Sequence, residues 1–261
     1  MRRTLSMLAL LGCLAALSGC DAFGARQPPT CRKDQFEGQR FTVCDYLAGR
    51  APEHAGSGMS LHLAWKGRDG RPLGSLPALK AALGPDAGRV LFAMNAGMYH
   101  PDQRPVGLLV QEGLVAAPLD TGPGKGNFYD LPNGVFWVDR SGYPRIAPGG
   151  VFIMDRQVAW ASQSGPLLVW RGEFHPIVAR ATRKAVRNAV AVCEARSAVF
   201  VISDEAITLG QLARYLHDGL GCSDALYLDG AVSVLWSPEL GRLDDRKGLG
   251  PLLYVLKEPE G

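Results

Sequence analysis

The sequence predicts an α+β fold: a single domain with a largely antiparallel or mixed sheet and few helices. Three observations carry that expectation. Short apolar or alternating runs recur along the chain, and Gly, Pro, Asn or Asp separates most of them. Only two stretches hold a helical period firmly. Hydrophobic residues make up 47% of a 261-residue chain, which is ordinary for a globular protein and ample for one sizeable core.

The runs that read as strands are 61–65, 90–94, 106–110, 135–138, 167–170, 189–192, 199–202, 225–228 and 252–256. The first helix is expected over Leu76–Leu83, with Pro77 in its first turn and Gly84 after its end. The second starts at Thr208, whose spacing to Gln211 fits a capping box. Its apolar stripe is Leu209, Leu212, Ala213, Leu216 and Leu220, and Gly219 sits near the stop.

The N-terminus predicts export. Arg2 and Arg3 precede an apolar run over 5–17, too short to span a bilayer, which ends in Leu17-Ser18-Gly19-Cys20. Residues 1–19 therefore read as a signal peptide. The last four residues resemble a bacterial lipobox, in which Cys20 is lipidated and becomes the first mature residue; the alternative is an ordinary signal peptide cleaved nearby. Asp21 resembles the inner-membrane retention signal of enteric bacterial lipoproteins. The expected location is the periplasmic face of the bacterial cell envelope, lipid-anchored without crossing, with the inner membrane favoured over the outer. Residues 20–57, with many Pro, Gly and charged positions, read as lipidated cysteine, tether and lead-in segment, and 58–257 as the domain.

Cysteine usage agrees with an oxidising compartment. Cys31, Cys44, Cys193 and Cys222 form an even set compatible with two disulfides. Three connectivities are possible; joining Cys31 to Cys44 and Cys193 to Cys222 closes a modest loop each time. With no Cys-x-x-Cys and five scattered histidines, neither a zinc site nor another metal site is expected. No cofactor is predicted, and a divalent cation held by backbone oxygens is left open. The net charge is +3, and loss of residues 1–19 would bring it closer to neutral, so nucleic acid is not an expected partner.

Candidate chemistry lies at strand ends and in glycine-rich loops. Leu226-Tyr227-Leu228 leads into Asp229-Gly230, which puts a carboxylate at the end of a buried element, although Asp-Gly is most often a plain turn. Asn95 follows an apolar run and precedes Ala96-Gly97, where an amide could meet a sugar hydroxyl or phosphate. Residues 121–128 carry glycines and Lys125 but lack the spacing of a nucleotide P-loop. Gln163-Ser164-Gly165 lacks the glycine that a nucleophile elbow needs at position 162. Arg180, Arg183, Lys184 and Arg187 would usually form a solvated face. Arg187 directly precedes a strand, so it is the one expected to point into a site, where a guanidinium suits phosphate.

These segments together resemble one family. Phe92-Ala93-Met94-Asn95-Ala96-Gly97-Met98-Tyr99, Pro105-Val106-Gly107-Leu108, Gly126-Asn127-Phe128, Pro132-Asn133-Gly134-Val135-Phe136 and Ser164-Gly165-Pro166-Leu167 occur in the order found in phosphodiester glycosidases. Arg187-Asn188-Ala189-Val190, Leu220-Gly221-Cys222, Leu226-Tyr227-Leu228-Asp229-Gly230 and Gly250-Pro251-Leu252 continue the series. That family shares its domain with the lysosomal uncovering enzyme, and the chain is most similar to its bacterial envelope branch, over roughly 58–257. The resemblance implies hydrolysis of a sugar-1-phosphodiester at its glycosidic bond, the partner being a phosphodiester-linked sugar or envelope glycan. It implies Asp229 as nucleophile or base, Arg187 on the departing phosphate and Asn95 orienting the substrate. Gly97, Tyr99, Asn127, Gly165, Asn188, Gly230 and Ser233 would line the substrate. The alternative from another class is a non-catalytic lipoprotein that binds an anionic glycan or scaffolds envelope machinery.

Overall fold

The computed structural model describes residues 30–48 and 58–259. The signal peptide and Cys20 lie outside the described residues. Three sheets build the domain. The 7-stranded sheet runs in the order β1 (Cys31–Phe36), β2 (Gln39–Leu47), β13 (Ser197–Ser203), β12 (Asn188–Glu194), β14 (Asp224–Tyr227), β10 (Leu167–Trp170), β11 (Glu173–Phe174). One 5-stranded sheet runs β16 (Arg242–Leu243), β15 (Leu235–Ser237), β4 (Val90–Asn95), β17 (Leu252–Lys257), β3 (Met59–Ala64). The other runs β6 (Leu114–Ala117), β5 (Leu109–Gln111), β9 (Val158–Ser164), β7 (Gly134–Asp139), β8 (Pro144–Pro148). Pairing within the sheets is antiparallel.

The inner faces of all three sheets meet in one apolar core. Phe200 of β13 is its junction: its ring centroid lies 5.3 Å from that of Phe92 on β4 and 5.6 Å from that of Phe136 on β7. Aromatic pairs at this spacing gain an edge-and-face attraction beyond simple burial. Because side chains alternate along each strand, every sheet also has an outer face that needs a cover.

Helices cover two of these faces. Helix α1 (Leu76–Leu83) buries Leu76 and Leu79 against the outer side of the sheet containing β4. Ser75 Oγ accepts the Ala78 N–H at 3.2 Å to cap it, and Gly84 ends it at φ 55, as the sequence implies. Short α2 (Pro176–Arg180), which the sequence reading missed, precedes α3 (Leu209–Arg214). The Thr208–Gln211 capping box forms as expected. Beyond Arg214 the last turn widens into a π-helix, Tyr215–Gly219. The stripe Leu209, Leu212, Ala213, Leu216 is buried on the 7-stranded sheet, where Tyr215 stacks on Phe41 of β2 at 3.8 Å. Over the third sheet, a loop lays Phe152 across Trp137 at 5.1 Å.

Two expectations need correction. The lead-in segment expected over 20–57 includes residues 31–47, which form β1 and β2 of the largest sheet. Their many charges lie on an edge strand, while Phe41, Val43 and Cys44 are buried. The strand expected over 106–110 begins only at Leu109. Before that point the Gln163 side chain takes the Leu108 N–H at 3.0 Å, and Val106 N–H bonds Met98 O at 2.9 Å. Both disulfides join the expected partners, Cys31 to Cys44 and Cys193 to Cys222.

A chain that begins at Gly58 uncovers β13 and strips Phe41 from Tyr215. It is expected to lose its cooperative urea transition, whereas a chain that begins at Thr30 keeps it. A sharp, native-like transition for the shorter chain would contradict the placement of β1 and β2 in the folded unit.

Candidate active site

The ends of β4, β9, β12 and β14 converge on one rim of the domain. Asn95 closes β4, Asn188 opens β12, and Asp229 follows β14. Asn95 is buried, and its side chain ties these elements together. Its Nδ2 donates to Asp229 O at 2.8 Å, while its Oδ1 accepts the Val234 N–H at 3.1 Å and Asn188 Nδ2 at 3.0 Å. Three of its four hydrogen-bonding positions are therefore used inside the protein. Asn188, also buried, receives Ser233 Oγ on its Oδ1 at 3.3 Å. Both amides, expected to touch substrate, instead hold the loop that carries Asp229.

Asp229 itself is half-buried and forms no ion pair among the described residues. Burial pushes its carboxyl above the usual carboxylate range, opposed by the Ala231 N–H that it accepts and by the charge of Arg246. Tyr99 lies close enough for the same two charges to act on it. Burial raises its phenol, Asp229 raises it further and Arg246 pulls it down. The Tyr99 ring packs on Gly250, where a Cβ would meet Tyr99 Cγ at 2.4 Å.

Arg187 is 4% exposed, as expected for the member of its cluster nearest the strand, while Arg180, Arg183 and Lys184 are exposed. Nε donates to Ile207 O at 2.9 Å, Nη1 to Tyr227 Oη at 2.8 Å and Nη2 to Arg183 O at 2.7 Å. One N–H remains on each terminal nitrogen. No carboxylate pairs with this buried guanidinium among the described residues. An uncompensated buried charge is costly, and an anionic ligand would complete the site.

Arg187 opens on a cavity of ≈ 130 Å³ that it lines with Asn127, Arg183, Tyr227, Ala231 and a wall of Ile177, Ala181, Ala185 and Leu209. Tyr227 sits between the two charged groups. Burial raises its phenol, Arg187 lowers it through charge and hydrogen bond, and Asp229 raises it. Gly230 makes room for that phenol, since a Cβ there would lie 2.1 Å from Tyr227 Oη. A larger hollow beside Asp34 and Arg40 has its Lys33 and Asp204 already paired at 2.9 Å.

The remaining expected site residues divide. Asn127 reaches the cavity, and Gly230 and Ser233 shape the Asp229 loop. Gly97 and Gly165 are packing glycines. A Cβ at Gly97 would meet Gln163 O at 2.2 Å, and the Gly97 N–H already bonds Ser162 Oγ at 3.0 Å. A Cβ at Gly165 would meet Phe128 O at 2.8 Å, in the turn that presents Asn127. Sequence reasoning missed Tyr227 and Arg246 and set Arg183 aside as solvated. Only Tyr227 left a signal: one polar tip within the apolar run 225–228.

Comparison with known proteins shows the family and the fold. The family model for phosphodiester glycosidases matches residues 88–240, which include Asn95, Asn127, Arg187, Tyr227 and Asp229. The chain is 33% identical over 175 residues to the uncharacterized protein YigE of Escherichia coli (strain K12), covering 66% of this chain and 67% of that one. It shares its fold, at TM-score 0.60 and 13% identity, with the pro-peptide auto-inhibited catalytic domain of zebrafish N-acetylglucosamine-1-phosphodiester alpha-N-acetylglucosaminidase. That alignment covers 89% of this chain and 85% of the other. The chain belongs to the phosphodiester glycosidase family.

Desolvation of Asp229 carries a stability prediction. Below its unfolded-state pKa the group is protonated in both states and nothing is lost. As pH rises through the higher folded-state pKa, folding must desolvate a carboxylate, and stability falls. Asp229→Asn is therefore expected to be more stable than wild type at neutral pH, with the gain vanishing on acidification. Urea unfolding across that range checks it; equal or lower stability of the variant at neutral pH would contradict it.

Proposed function

We propose that the protein hydrolyses the glycosidic bond of a sugar-1-phosphodiester at the bacterial cell envelope, held to the periplasmic face of the membrane through a lipidated Cys20. The observation that carries the chemistry is the buried Arg187, without a counter-ion among the described residues, which opens on a cavity whose lining includes Tyr227 and Ala231 on either side of Asp229 in the chain. A cavity of ≈ 130 Å³ is smaller than the roughly 300–1,000 Å³ of pockets that enclose whole ligands. It suits one charged group of a larger substrate, with the rest lying over the open rim.

In the proposed reaction, the phosphate of the substrate lies in the cavity and C1 of the sugar faces Asp229. Asp229 either attacks C1 or deprotonates the water that does. The C1–O bond breaks and its electron pair leaves with the phosphate. If Asp229 attacks, water then breaks the Asp229–C1 ester and frees the carboxylate. On either route water supplies the oxygen and one hydrogen that end on C1, and its other proton passes to the phosphate monoester or, above that group's second pKa, to solvent. Such a monoester has a second pKa of about 6, so it departs without full protonation. Cationic stabilisation by Arg187 then takes the place of the carboxylic acid that glycosidases ordinarily aim at the leaving group. That no carboxylic acid is found in the cavity lining among the described residues supports this reading. Asn95 and Asn188 serve as positioning residues that fix the Asp229 loop.

Asp229→Asn is expected to abolish sugar release from a panel of α- and β-linked sugar-1-phosphodiesters, by at least about 1,000-fold, while leaving binding intact. In the wild type, kcat/KM should rise with pH through an apparent pKa above the ordinary carboxylate range, because Asp229 works ionised and burial holds its proton. Binding without release across the panel, equal in both proteins, would instead favour the glycan-binding lipoprotein.

A further inference from the structure

We infer that Tyr227 is a further substrate-contacting residue of this site, the hydroxyl donor to the substrate's phosphate, and that Arg187 acts on that phosphate partly through it. The inference rests on the hydrolase reading for its place in the reaction, and on the cavity alone for its ligand chemistry. Arg187 commits three of its N–H groups to Ile207 O, Tyr227 Oη and Arg183 O. The bond to Tyr227, at 2.8 Å, makes the phenol oxygen an acceptor, and the Gly230 N–H, which donates to Leu228 O at 2.8 Å, also lies near that oxygen. The phenol's own hydrogen has no acceptor among the described residues, while the side chain lines the cavity.

No other lining residue carries a hydroxyl: the remaining polar side chains there are Asn127, Arg183 and Arg187. A phenol whose oxygen accepts from a guanidinium is polarised, and its O–H becomes a stronger donor to an anion. Position 230 reinforces the assignment. Any side chain there would occupy the place of the hydroxyl, 2.1 Å from a Cβ, so the turn after Asp229 is built around this phenol.

The role is donation of a hydrogen bond, not transfer of the proton. A phenol of ordinary pKa about 10 facing a phosphate monoester of about 6 would transfer its proton uphill by about 10,000-fold. Burial holds the proton on Tyr227 still more firmly. A shared hydrogen bond spreads the negative charge that builds on the phosphate as C1–O breaks.

Calorimetry with inorganic phosphate and with phenyl phosphate, an analogue of the departing monoester, tests this on wild type and Tyr227→Phe. Loss of a hydrogen bond to a charged group is expected to weaken both ligands by about 10- to 100-fold. Equal affinities, or no phosphate binding by wild type, would overturn the inference. Replacement of Tyr227 by 3-fluorotyrosine keeps the shape and lowers the phenol pKa. The pH above which phosphate binding is lost should then move down; an unmoved profile marks a merely structural tyrosine and overturns the inference, even if the Phe variant fails to fold. Phosphate binding that depends on Tyr227 in a protein that releases no sugar would sink the hydrolase reading and leave this one standing.

Discussion

The side chain of Asn95 is the constraint on which the site depends. One buried amide donates to Asp229 O and accepts from Val234 N–H and Asn188 Nδ2, so it joins β4, β12 and both ends of the 229–234 loop. Only a side chain with donor and acceptor on one planar group can do this. Aspartate there would lose the donor and bury a charge. Leucine would leave one backbone donor and one carbonyl unsatisfied, at about 1–3 kcal/mol each. A loop pinned at both ends presents Asp229, which forms no ion pair among the described residues.

From that constraint follows a division of labour among polar groups. The amides of Asn95, Asn188 and Gln163 are spent on geometry; Gln163, for instance, accepts from both Leu108 N–H and Asp120 N–H. The ionisable groups are left under-compensated instead. Among the described residues Asp229 forms no ion pair, Arg187 meets no carboxylate, and the hydroxyl hydrogen of Tyr227, on which both charges act, finds no acceptor. Such an arrangement sacrifices stability in the empty protein and returns it when an anionic substrate arrives, the pattern expected where electrostatics is preorganised for a reaction.

Much of the fold was legible because its cause is local. Short, nearly continuous apolar runs place β4, β12, β13 and β17, and the Thr208–Gln211 pair announces α3 without any tertiary knowledge. Residues 31–47 look like a lead-in segment because charged and turn residues surround their apolar positions. Residue by residue, Phe41, Val43 and the disulfide partner Cys44 already mark an inward face. Strands as short as β11 and β16, two residues each, leave no periodic trace and exist only because a neighbour pairs with them. In the site, Asp229 and Arg187 could be singled out by their position at strand ends. The roles of Asn95 and Tyr227 could not, because each depends on partners about 90 and 40 residues away or more, brought together by sheets that no spacing encodes.

The central claim is that the bond cleaved is the one between sugar and phosphate oxygen, with Asp229 on the carbon side and the Arg187 cavity on the phosphate side. Hydrolysis of a sugar-1-phosphodiester in ¹⁸O-labelled water, with both products weighed by mass spectrometry, tests it most directly. The account predicts the label on C1 of the released sugar and none on the phosphate monoester. Label on phosphorus would mean attack at phosphate, and would contradict the placement of the reaction at Asp229.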